Sequence, residues 1–70
     1  MGVEGAVRVL LAGGSLRLGG YRTEDAVRLA TAAKQGGAQI TFSHMWIVED
    51  MVRIAAAGGG HVTFDVSAKG

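Results

Sequence analysis

The chain has 70 residues, a net charge of +1, 12 glycines, and neither proline nor cysteine. A domain of this length buries only about 60% of the surface its unfolded form exposes, so its core is marginal and association is a common source of added stability. The absence of cysteine removes disulfides, thiolate metal sites and a cysteine nucleophile, and acidic and basic residues alternate instead of forming the clustered basic face that nucleic acid would require.

No apolar run approaches the ~18 residues of a transmembrane helix. No basic region followed by a long apolar stretch opens the chain, so a cytoplasmic location is expected. Residues 1–70 are read as one small α/β domain divided by its glycine pairs, Gly13-Gly14, Gly19-Gly20, Gly36-Gly37 and the triplet Gly58-Gly59-Gly60.

Two readings compete for the first segment. As a helix it places Val3, Val7, Leu10 and Leu11 on one stripe. As a hairpin it alternates Val7, Val9 and Leu11, turns at Gly13-Gly14 and returns through Leu16 and Leu18. Gly5 and the β-branched valines weaken the helix, and a sheet of four strands matches two covering helices. The preferred order is therefore ββαβαβ, a two-layer sandwich with two helices on one face of a mixed or parallel sheet. The alternative is three αβ repeats.

A helix is predicted over 23–35. Thr23 stands as N-cap, and Glu24 and Asp25 lie where the helix dipole favours negative charge. Ala26, Val27, Ala30 and Ala33 form the apolar stripe, Glu24 precedes Arg28 by four residues, and Gly36-Gly37 ends the helix. A strand follows, with Ile40 and Phe42 on one face and Gln39, Thr41 and Ser43 on the other. The second helix is predicted from about Trp46 to Ala57, with Ile47, Met51, Ile54 and Ala55 inward and Glu49 above Arg53. The last strand alternates Val62, Phe64 and Val66 against His61, Thr63 and Asp65. A helix between neighbouring strands implies right-handed parallel crossovers.

Part of this pattern is written twice. Glu24-Asp25-Ala26-Val27-Arg28-Leu29-Ala30 is echoed by Glu49-Asp50-Met51-Val52-Arg53-Ile54-Ala55, with a fainter echo from Glu4 to Val9. The run from Asp25 to Ala32 ahead of a strand resembles the helical half of ribonuclease-inhibitor-type leucine-rich repeats, although the asparagine ladder of that family is missing. The αβαβ end is similar to the C-terminal half of anti-sigma-factor-antagonist domains, without their phosphorylatable serine motif. Both are likenesses of fold and carry no function.

In parallel open sheets ligands bind beyond the carboxyl ends of the strands. Aligning Leu16, Ile40 and Val62 places Gly19, Ser43 and Asp65 in one row there. The segment Gly20-Tyr21-Arg22-Thr23 leads a strand into a helix N-terminus, which with Arg22 and Ser43 suits an anion or other ligand. His44 and Asp65 could pair as a general base and its orienter in a small hydrolytic site. Met45 and Trp46 are of the residue types enriched in subunit interfaces. No metal site and no cofactor is expected. The favoured function is a small non-enzymatic module acting through self-association, as a homo-oligomer, or through a protein partner. A ligand or anion site at the strand ends is the alternative, while nucleic acid and membrane are not expected partners.

Overall fold

The computed structural model describes residues 2–66. In chain order they form α1 (Val3–Leu11), β1 (Leu16–Leu18), α2 (Thr23–Gly36), β2 (Ile40–Phe42), α3 (Val48–Gly58) and β3 (Val62–Phe64). The fold is mixed α/β, with three helices and a three-stranded parallel sheet in the order β1-β2-β3. Leu16, Ile40 and Val62 share one register row, and Leu18, Phe42 and Phe64 another. Consecutive strands are neighbours, and α2 packs against both α1 and α3. The chain thus advances in one direction as three helix-then-strand units.

The hairpin expected between residues 7 and 18 is a helix followed by a strand. The burial of α1 decides this. Ala6 and Leu10 are fully buried, and Val3 and Val7 pack against the same core. Gly13 and Gly14, read as a hairpin turn, instead close the helix. The Gly13 amide donates to the Leu10 carbonyl and the Gly14 amide to the Val9 carbonyl, with Gly13 at φ 96°. That pair of bonds is the Schellman arrangement, and its left-handed residue is least strained as glycine. The order ββαβαβ is replaced by αβαβαβ, the arrangement of the three-repeat alternative.

α2 stops in the same way. Gly37 is left-handed at φ 70°, its amide donates to Lys34, and the Ala38 amide reaches back to Ala33. The start of α2 departs from expectation, because Arg22 occupies the N-cap position and makes no side-chain cap. Thr23 lies inside the helix and its hydroxyl donates to Asp50 Oδ2 at 3.2 Å, tying α2 to α3. The third helix begins at Val48, two residues later than predicted from Trp46. Ile47 and Ala55, placed inward by periodicity, are exposed, while Ile54 is fully buried and Met51 half-buried.

The core lies between the helices and one face of the sheet. Ile40 and Phe42 of the central strand are wholly buried beneath Leu29, Ala30 and Ala33 of α2 and Ile54 of α3. The outer strands are covered less completely, so Leu16, Leu18, Val62 and Phe64 keep partial exposure. Parallel strands are usually covered on both faces. Here the second face carries Arg17, Thr41 and Thr63, and it remains polar. No helix among the described residues is long and apolar enough to cross a membrane.

Candidate functional site

The carboxyl ends of β1 and β2 release two loops that lie against each other. Trp46 joins them: its indole Nε1 donates to the Tyr21 carbonyl at 3.1 Å. The ring of Trp46 stands edge-on to Phe42 at 5.1 Å and to His44 at 4.7 Å, and it meets Phe64 at 6.0 Å. Phe42 and Phe64 stack at 6.1 Å across neighbouring strands. Edge-to-face pairs at these spacings are favourable beyond the area they bury. The strand alternation, continued past β2, carries the signal for this cluster, because Phe42, His44 and Trp46 are every second residue.

Gly20 is the floor under the histidine. A β-carbon there would stand 2.7 Å from His44 Nδ1, so glycine lets the ring rest directly on the backbone at that position. His44 is engaged with Gly20 and Trp46, whereas the Asp65 carboxylate accepts a charge-assisted bond from the Arg17 guanidinium. Both members of the expected general-base pair thus have neighbours of their own in Arg17, Gly20 and Trp46. Ser43 hydrogen-bonds at β1: its hydroxyl donates to the Leu18 carbonyl at 3.1 Å and its amide to the same oxygen at 2.8 Å. At the other end of β3, His61 Nδ1 donates to the Ala38 carbonyl at 2.7 Å.

Arg22 and Thr23 do share a cleft, of about 330 Å³, with Glu24 of α2 and with Asp50 and Arg53 of α3. It lies beside the N-terminus of α2, where backbone amides and the helix dipole favour an anion. Sequence reasoning missed Asp50 and Arg53 as members of this site. The spacing pairs Arg53 with Glu49 of its own helix, and only the packing of α3 on α2 carries it across to the cleft.

Met45 is exposed and Trp46 is half-buried in the aromatic cluster. Exposed large apolar side chains concentrate on the β2–α3 loop and α3: Met45 is 64% exposed, Ile47 65%, Val48 74% and Val52 60%, with Leu11 of α1 at 47%. Among the described residues, no three His, Cys, Asp or Glu side chains come together as metal ligands. No family model matches the chain, and no curated protein or solved structure matches it either.

Proposed function

We propose that the chain is a small non-enzymatic α/β module that acts through self-association or through a protein partner. The observation that carries this reading is the exposed apolar group on the β2–α3 loop and the free side of α3: Met45, Ile47, Val48 and Val52. Exposed apolar residues grouped on one helix and the loop before it support an interaction surface. Size adds support, since a marginal core gains stability when another surface covers it. Val52→Asp places a charge in the middle of the group, on a side chain that the fold leaves in solvent. Sedimentation velocity from low to high micromolar concentration should show the wild-type chain associating and Val52→Asp held as a monomer. A wild-type chain that stays monomeric and cooperatively folded throughout removes self-association. If Val52→Asp also leaves its solubility and stability unchanged, the apolar group has no interface role.

The cleft at the start of α2 favours a second reading, a ligand or anion site. Arg22 and Arg53 line it beside the carboxylates of Glu24 and Asp50, and the two guanidinium groups supply the donors that phosphate or carboxylate would take. A titration with phosphate and nucleotide-like compounds, followed by amide NMR, should move residues 20–24 and 50–53. Unmoved amides dispose of it.

A further inference from the structure

The helices carry a positional code across their junctions. Glu4, Glu24 and Glu49 are each the second residue of their helix, and Arg8, Arg28 and Arg53 are each the sixth. Where α1 meets α2, Arg28 of the later helix donates to Glu4 of the earlier one at 3.1 Å. Where α2 meets α3, Arg53 of the later helix and Glu24 of the earlier one line the same cleft. Each junction therefore brings the sixth residue of the following helix toward the second residue of the preceding one. Two members of the series have no such junction: Arg8, on the free side of α1, and Glu49, on α3. Both are exposed, and among the described residues they, like Glu24 and Arg53, form no ion pair.

The apolar positions follow the same code. The eighth residue of each helix is covered by the next helix: Leu10 lies against Gly36 of α2, and Ala30 against Gly58 of α3. Its counterpart in α3, Ala55, is exposed. The first residue is likewise engaged in α1 and α2 and left open in α3. Val3 packs on the core and Thr23 bonds to Asp50, whereas Val48 stands in solvent. Val48, Met51, Val52 and Ala55 fall at i, i+3, i+4 and i+7, the stripe with which a helix meets a neighbour. The α3 side of the molecule is thus built as the receiving face of a junction, and the α1 side as the entering face.

From this we infer that copies of the chain associate head to tail, with α1 and β1 of one copy docking on α3 and β3 of the next. The inference rests on the self-association reading above and names its geometry. Arg8 of the entering copy meets Glu49 of the receiving copy, as Arg28 meets Glu4 within the chain. The edge of β3 then takes β1 of the next copy in parallel, Val62 beside Leu16, which continues the register row of Leu16, Ile40 and Val62. Such contacts are heterologous, so they propagate into a ring or a filament and do not stop at a dimer.

Charge reversal in the intact chain tests this. Arg8→Glu and Glu49→Arg are both at exposed sites, and circular dichroism at low concentration checks that each variant folds. Sedimentation velocity of the wild-type chain should show mass rising past the dimer with concentration. Each reversal alone should weaken association roughly tenfold, from a lost ion pair and the like charges brought together. An equimolar mixture of the two variants should restore it. The carboxylate introduced by one substitution then meets the guanidinium introduced by the other, and the unaltered ends of the two variants keep the native pair. A species that saturates at a dimer, or association indifferent to both reversals, overturns the head-to-tail geometry and leaves self-association standing. A monomer at every concentration overturns both.

Discussion

Gly36 shows how much of this fold turns on single atoms. A β-carbon at that position would overlap the Leu10 carbonyl oxygen and stand 2.8 Å from the Leu11 Cα. The obstacle is backbone, which cannot swing aside as a side chain can, so α1 would have to lift off α2. Overpacking of this kind costs about 3 kcal/mol, against a total stability on the order of 7 kcal/mol for a chain of this length. Gly36→Ala should therefore lose close to half of the stability in urea unfolding. Gly19→Ala, where a β-carbon meets nothing within 4 Å, should change it by less than about 0.5 kcal/mol. Gly20 lies between these cases, since the atoms above it belong to an exposed histidine ring that can rotate away. The glycine pairs are visible in the sequence as punctuation. That Gly36 serves as a contact as well as a stop depends on α1 being a helix.

Between elements, the within-helix reading of the charges fails at the position where it can be checked. Glu24 and Arg28 have the spacing of an i to i+4 pair, yet Arg28 bonds to Glu4 of α1. Both side chains are more than half exposed, so the pair is worth about 0.5 kcal/mol. A double-mutant cycle between Glu4 and Arg28 should return a coupling of that size, and a cycle between Glu24 and Arg28 should return less. Equal couplings would mean that the i to i+4 pair prevails in solution. The duplicated Glu-to-Arg spacing is legible in the sequence, but its use is not. A helix presents the same sixth residue to solvent or to a neighbour according to what is packed beside it. The same reasoning accounts for Ile47 and Ala55. Periodicity identifies an apolar stripe without saying how many of its members this chain can cover.

The molecule is asymmetric along the direction in which its units advance. The central unit is covered from both sides, and its Leu29, Ala30, Ile40 and Phe42 are fully buried. At the α3 end, Val48 and Val52 are largely exposed, and at the α1 end the free side carries Arg8. In solenoid architectures each unit contacts only its neighbours, and end units need a polar outer face to remain soluble. Among the described residues, Val48 and Val52 leave the α3 end partly apolar. A chain that buries apolar surface only in its middle gains most from covering its ends, which is the physical basis for reading it as an associating module. The Arg22–Arg53 cleft takes Asp50 and Arg53 from the same helix that carries Val48 and Val52.

Local grammar was already present in the order of the residues. Alternation of apolar residues set the strands and their shared register, acidic starts and glycine stops set the second and third helices within two residues, and repetition indicated equivalent units. These properties depend on neighbours along the chain. Packing settled the rest. Gly13-Gly14 can end a helix or turn a hairpin, and the burial of Ala6 and Leu10 against α2 selected the helix. Thr23 can cap or cross-link, and the position of Asp50 selected the cross-link. Arg17 bonds to Asp65, and His44 lies over Gly20 and against Trp46, because side chains near strand ends are allotted by loop packing, which no spacing rule contains. The exposed stripe of α3 belongs to this second class, since it became visible only once packing showed which apolar faces the other helices cover.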